Sequence, residues 1–124
     1  GKMNNLKLKR CEKCGSIVLE LKECECNECL TCCGALLKEI NASNEEVNKH
    51  IPSYYRQDNK LIIRVNHEQE ENHYIEAIII KTENEVLVHK FTSEEEPELI
   101  MGYEPNMEIY SLCTKDGLFK VDVI

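Results

Sequence analysis

The stretch LIIRVNHEQEENHYIEAIIIK, residues 61–81, sets two apolar runs on either side of a short polar link. Both runs are rich in isoleucine and valine, whose branched side chains suit a pleated, half-buried surface. The link EQEEN, residues 68–72, is too polar to continue either strand and reads as a connecting loop. Histidines stand at both of its borders, His67 closing the first strand and His73 opening the second. Two imidazoles at facing strand ends can point into one site.

The pattern continues to the C-terminus. EVLVHKF (85–91), ELIMGY (98–103), MEIYSLC (107–113) and LFKVDVI (118–124) are each short, rich in β-branched or aromatic residues, and bounded by turn formers. With the two runs in the first stretch they make six segments, a spacing that predicts an antiparallel sandwich or barrel. KTENEV (81–86) is a hairpin candidate, and TKDG (114–117) is another turn with Asp116-Gly117 at its tip. The acidic SEEEPE (93–98) reads as a solvated turn. Upstream, Ser43 followed by Glu46 fits a capping box for one short helix, with Val47 its main apolar residue and Pro52 its end. No internal repeat is visible.

The chain has 124 residues and a formal net charge of -8. That length suits one compact domain, or a medium domain with a small satellite. The acidic balance repels phosphate backbones and argues against nucleic acid as a partner. No apolar run approaches the roughly 18 residues of a membrane span, and no charged-then-apolar leader is visible. A soluble cytoplasmic protein without a membrane partner is therefore expected. Charge divides unevenly: residues 1–40 carry seven Lys and Arg against six Asp and Glu, and residues 41–124 carry eight against seventeen. This shift places an expected boundary near residue 40, with domains at 1–40 and 41–124.

Seven of the eight cysteines precede residue 34. A secreted disulfide scaffold spreads its cysteines through the fold, so this clustering points to metal. Cys11-x2-Cys14 brings two thiolates within reach of one ion, and Gly15 lets the backbone turn tightly. SIVLEL (16–21) reads as a strand that returns the chain for a second pair. That pair is Cys29 with Cys32, at zinc-ribbon spacing, or the adjacent Cys32 and Cys33, with Gly34 permitting the turn. In the latter case Cys24, Cys26 and Cys29 are surplus, and read as exposed reduced thiols on a loop. Four thiolates favour tetrahedral zinc or iron. About forty residues bury too little to fold unaided, so a metal staple is physically reasonable.

A second set is more dispersed. Cys113 ends a strand at a turn, and His50 stands just before Pro52. With His67 and His73 they would form a mixed nitrogen and sulfur site suited to iron, zinc or copper. Singly, each has an ordinary explanation: a lone histidine as a surface or core residue, and Cys113 as a small buried hydrophobe. His89, within EVLVHKF, is given that ordinary reading.

Taken together, Cys11-x2-Cys14 with CCG at 32–34, KHIP at 49–52, NHEQEENHYIEAI at 66–78 and CTKDGLFK at 113–120 resemble the desulfoferrodoxins, two-domain superoxide reductases. The resemblance runs over nearly the whole chain and keeps the motif order. It implies a small desulforedoxin-like N-terminal domain holding iron through Cys11, Cys14, Cys32 and Cys33, a set that zinc would also fit. It implies an immunoglobulin-like, seven-stranded β-sandwich whose second mononuclear iron is held by four histidines and an axial cysteine. His50, His67, His73 and Cys113 match four of those five positions. The fifth departs: the family pattern Cys-x2-His-Gly is here Cys113-Thr114-Lys115-Asp116-Gly117, so Asp116 stands where the fourth histidine should be. A bound carboxylate would favour the ferric state and lower the reduction potential; it could also swing away. Lesser departures are Asn48 for a glutamate, Ala77 for a tryptophan, and the inserted CECNEC.

By the same resemblance the chemistry is one-electron reduction of superoxide to hydrogen peroxide, with Lys49 attracting the anion. A rubredoxin-type electron donor and a homodimer are also implied. Two competing readings are a metal-binding or redox-sensing protein impaired by Asp116, and a zinc protein with two structural sites.

Overall fold

The computed structural model describes residues 6–22, 24, 30–43 and 50–124. Two compact units divide the chain, Gly1–Asn41 and Ala42–Ile124. Among the described residues all regular structure is β, and no helix is long and apolar enough to cross a membrane. The short helix expected after Ser43 falls mostly on residues 44–49, outside the described residues.

The first unit contains β1 (Lys7–Arg10), β2 (Ile17–Glu20), β3 (Thr31–Cys32), β4 (Ala35–Leu36) and β5 (Lys38–Ile40). A three-stranded sheet runs β2-β1-β5, and β3 pairs with β4 as a ribbon. Leu8 faces Leu19 on one side and Ile40 on the other. Among the described residues of this unit only Leu8 and Cys11 are buried. Ion pairs Lys7–Glu39 and Lys38–Glu12 are exposed and contribute little. The better-covered pair is Lys9 with Glu20, at 2.8 Å. Glu20 also accepts the backbone N–H of Cys24 at 3.3 Å. Cys24 departs from the expected exposed reduced thiol: it is half-buried and disulfide-bonded. Cys26 and Cys29 lie outside the described residues.

The second unit contains β6 (Ala42–Ser43), β7 (Ser53–Gln57), β8 (Lys60–Arg64), β9 (Ile75–Lys81), β10 (Val86–Lys90), β11 (Glu98–Gly102), β12 (Glu108–Cys113) and β13 (Gly117–Asp122). One sheet runs β10-β9-β12-β13-β6 and the other β11-β8-β7. The seven strands β7 to β13 pair antiparallel, and only the two-residue β6 runs parallel, beside β13. These are two separate sheets, a sandwich and not a closed barrel. All six strands expected from the apolar runs form. β7, from SYYRQ, is additional.

Each sheet contributes to one core. Leu61 and Ile63 of β8 meet Ile75, Ile78 and Ile80 of β9, Ile109 of β12 and Phe119 of β13. The β9–β10 hairpin is closed by Thr82, whose N–H donates to the Glu85 carbonyl and whose hydroxyl accepts the Glu85 N–H. The β12–β13 hairpin pairs Cys113 with Gly117. Gly117 has φ 93, a conformation that side chains disfavour. Burial of apolar surface is the main stabilising term. Ile109→Ala, at a fully buried position, should therefore cost about 2–5 kcal/mol of unfolding free energy, while Val88→Ala on the exposed β10 should stay within about 0.5 kcal/mol; urea denaturation measures both.

Candidate metal centres

The first cluster brings Cys11, Cys14, Cys32 and Cys33 together, their sulfurs all within 4.8 Å of one another. Cys14 Sγ is 3.6 Å from Cys32 Sγ, and Cys32 Sγ is 3.9 Å from Cys33 Sγ. Sulfurs bound ~2.3 Å from one tetrahedral ion stand at about this separation. Local backbone makes the convergence: the Gly15 N–H donates to the Cys11 carbonyl, with Gly15 at φ 80. Cys33 at φ 54 and Gly34 at φ 78 turn the adjacent pair inward. A positive φ at cysteine is unfavourable and marks a position held by its surroundings.

Crowding sets three of these thiols against one another. The hydroxyl and backbone of Ser16 hold Cys14 down to about 6. Its neighbours Cys11, Cys14 and Cys33 push Cys32 up to about 12. Cys33 is raised as well, chiefly by Cys14. A divalent ion held by these four sulfurs would supply the missing positive charge.

The second cluster gathers His50, His67, His73, Cys113 and Asp116, again with one ligand atom from each within 4.8 Å of the others. One strand, the β8–β9 link, the β12–β13 turn and the segment before β7 deliver them. Cys113 ends β12, fully buried, facing Ile75 of β9. The β9–β12 register shifts there, since Leu112 faces Ala77 and Cys113 faces Ile75, leaving Glu76 as the extra residue of a bulge. Bulges bend a strand and re-aim its side chains. Beyond it, the Thr114 N–H donates to the Tyr74 carbonyl, and its hydroxyl accepts the Tyr74 N–H at 3.1 Å. This clamp fixes His73, one residue before Tyr74. His67 follows β8 through a tight turn in which its N–H bonds the Val65 carbonyl. His50 lies on Phe119, ring centroids 4.7 Å apart and nearly parallel, while Ser111 Oγ bonds its carbonyl.

Asp116 sits among the others. Its Oδ2 accepts a hydrogen bond from His73 Nε2 at 2.7 Å and lies 2.8 Å from His50 Nε2 and 3.6 Å from Cys113 Sγ. Neighbouring ligands each ~2.1 Å from one ion stand about 3 Å apart, so these separations fit a shared centre. Both ring nitrogens of His50 and Nδ1 of His67 are buried without a hydrogen bond; Oδ2 approaches His50 Nε2 without forming one. Buried polar atoms are normally satisfied; of the nitrogens facing the cluster, His50 Nε2 lies 2.8 Å from the carboxylate and His67 Nε2 3.9 Å from the thiol, a placement that suits a metal ion. His89 is exposed, on β10, outside the cluster. Lys49 lies outside the described residues.

Electrostatics fit the same reading. Burial pushes the Cys113 thiol up, opposed by the backbone N–H groups of Lys115 and Asp116. The bond with His73 holds Asp116 below the usual carboxylate range. Burial, then the charges of His50 and His73, push His67 below its ordinary 6.5, with Gln69 and the Glu68 backbone partly opposing. The sequence did not single out Gln69, Ser111, Thr114 or Phe119. Their roles come from pairing and stacking, which no spacing rule reveals.

No protein-family model matches the chain. A protein named desulfoferrodoxin homolog from Archaeoglobus fulgidus is 38% identical over 74 residues, 56% of this chain and 58% of that protein. The chain thus matches little more than half the length of that relative. Among solved structures, the superoxide reductase from Treponema pallidum has TM-score 0.76 at 18% identity, covering 94% of this chain and 98% of that one. The superoxide reductase from Nanoarchaeum equitans has TM-score 0.54 at 22% identity, covering 67% of this chain and 98% of that one. That from Giardia intestinalis has TM-score 0.53 at 20% identity, covering 62% and 98%.

Because the folded protein disfavours protonated His67, its contribution to stability is complete above pH 6.5 and is lost as pH falls toward the lowered folded value. Urea denaturation of metal-free protein at pH 7.5, 6.5 and 5.5 should show this loss, and His67→Gln should flatten that part of the profile. The chain is thus a relative of a desulfoferrodoxin homolog in sequence and has the fold of the superoxide reductases.

Proposed function

We propose that the protein is a non-haem iron oxidoreductase that reduces superoxide to hydrogen peroxide at the His50, His67, His73 and Cys113 centre. The observation that carries this reading is the convergence of five ligand atoms within 4.8 Å, in a fold shared with the superoxide reductases. Iron held there supplies the single electron, so that superoxide, one electron and two protons give one hydrogen peroxide. His50, His67 and His73 offer neutral nitrogen, and the Cys113 sulfur, deprotonated on binding, offers negative charge. The Lys115 and Asp116 N–H groups pointing at Cys113 temper its donation. Lys49 attracts the anionic substrate, and water supplies the protons. Residues 1–40 are a desulforedoxin-like domain whose Cys11, Cys14, Cys32 and Cys33 hold an accessory iron, or zinc; residues 41–124 carry the reaction. A rubredoxin-type protein is the electron donor, and the chain works as a cytoplasmic homodimer.

One observation favours a second reading, a metal-binding or redox-sensing protein with impaired turnover. Asp116 Oδ2 lies within 2.8 Å of two imidazole nitrogens, where the family pattern has a histidine. Bound as a ligand, it adds a negative charge that an imidazole lacks.

Anaerobically purified protein should contain iron and, once oxidised, show a thiolate-to-ferric absorption band that Cys113→Ser removes. Iron-loaded protein should consume superoxide without releasing dioxygen. Asp116→His should raise that rate about tenfold or more. A silent wild type with an active Asp116→His variant supports the second reading; zinc in both sites refutes the reductase and supports two structural zinc sites.

A further inference from the structure

Resting on the reading that the mixed cluster binds a metal ion, we infer that Gln69 is a positioning residue that sets how far apart His67 and His73 are held. The five-residue link between the two histidines is Glu68, Gln69, Glu70, Glu71 and Asn72, and Gln69 alone among them is not exposed. Its side-chain amide grips one residue twice: Oε1 accepts the Ile75 N–H at 2.9 Å and Nε2 donates to the Ile75 carbonyl at 3.1 Å. A neighbouring strand would satisfy Ile75 in the same way. The register of β10 stops at Lys90 opposite Ala77, so Ile75 lies beyond its reach. The Gln69 side chain takes that place.

The consequence for the site follows from what Ile75 faces. It is fully buried, the first residue of β9, and paired with Cys113. Gln69 therefore ties the histidine loop to the β9 residue that faces Cys113 across the ladder. The rest of the loop is closed by Glu70 and His73, which exchange N–H to carbonyl bonds at 3.0 and 3.1 Å. Those bonds shape the turn before His73 but leave His67 without an anchor on β9. The two rings meet edge to face with centroids 4.8 Å apart. Three exposed glutamates repel one another along the same loop and favour its opening. Only a group that donates and accepts at once can hold both Ile75 bonds; alanine and leucine can hold neither, and a carboxylate can hold one.

Metal-free full-length protein titrated with cobalt(II) tests this. The mixed site is identified as the thiolate-to-cobalt absorption that Cys113→Ser removes, and cobalt at the four-cysteine site serves as internal reference. Gln69→Ala and Gln69→Leu should weaken cobalt binding at the mixed site about 10- to 100-fold and shift its ligand-field bands, with binding at the four-cysteine site unchanged. Gln69→Glu, which keeps the acceptor for the Ile75 N–H, should fall between them and wild type, and provides the measurement if the other variants fail to fold. Wild-type affinity and bands in these variants overturn the inference, as does lower stability with unchanged bands. A wild type without any Cys113-dependent band overturns the metal-site reading itself, and this inference with it.

Discussion

Cys113 lies directly across the β9–β12 ladder from Ile75, and the mixed cluster depends on that pairing. The bulge at Glu76 brings the thiol opposite the chain just after His73. The Thr114–Tyr74 clamp then locks the two strand ends together. The β12–β13 hairpin returns Asp116 to within 3.6 Å of the sulfur. Phe119, on the same returning strand, carries the His50 ring. Four of the five groups thus hang on one end of one sheet, and only His67 arrives from the other sheet, after β8. Leaving buried nitrogens unpaired costs about 1–3 kcal/mol each. The isoleucine core offsets this, at roughly 1.5–3 kcal/mol per fully buried side chain. The sandwich can therefore hold a destabilised site ready for a ligand that satisfies it.

Much of this architecture was legible in the residues. β9 is recognisable because Ile75, Ala77, Ile78, Ile79 and Ile80 are all buried; a strand covered on both faces reads as a continuous apolar run. His67 and His73 stood out because they border a polar link between two such runs. β7 was missed because SYYRQ is an edge strand, mostly exposed, with little apolar alternation. The first apolar run was expected to reach His67, yet β8 stops at Arg64: the bond from the His67 N–H to the Val65 carbonyl turns the chain out of the ladder. The register shift at Cys113 has no signature in periodicity, because periodicity describes one strand and register describes two. Gln69 read as one more polar residue of a loop for the same reason.

The N-terminal unit obeys a different constraint. With Leu8 and Cys11 its only buried residues among those described, apolar burial cannot offset the ordering of some forty residues. Exposed ion pairs add at most about 1 kcal/mol each. What organises this unit is the four-sulfur cluster, set by two tight turns with positive φ. The opposed behaviour of Cys14 and Cys32 follows from crowding: one thiolate stabilised by Ser16 makes the next harder to form. A cation held among these sulfurs would relieve that crowding, and would make folding and metal binding one process in this unit. The sandwich, with a core of its own, has no such dependence.

Position 116 joins the electrostatics of the site to its chemistry. With Cys113 and Asp116 both anionic, the proposed ligand set carries two negative charges, where a histidine at 116 would leave one. The pocket over this face is lined by Asn66, His67, Glu68, Glu70 and His73, which adds two more carboxylates at the approach. A unit charge ~4 Å away at an effective dielectric near 20 is worth about 4 kcal/mol, less for Asp116, which is 41% exposed and screened by solvent. The extra charge acts twice. With iron held there as proposed, it would stabilise the higher oxidation state, so that a ferrous ion would give up its electron more readily and recover it less readily. It also weakens the pull on an anionic substrate in a chain already at -8. These effects oppose each other in the electron-transfer step and reinforce each other against continuous turnover. On the proposed reading, a carboxylate at this position would therefore favour a centre that reacts once and waits for a strong reductant over one that cycles freely.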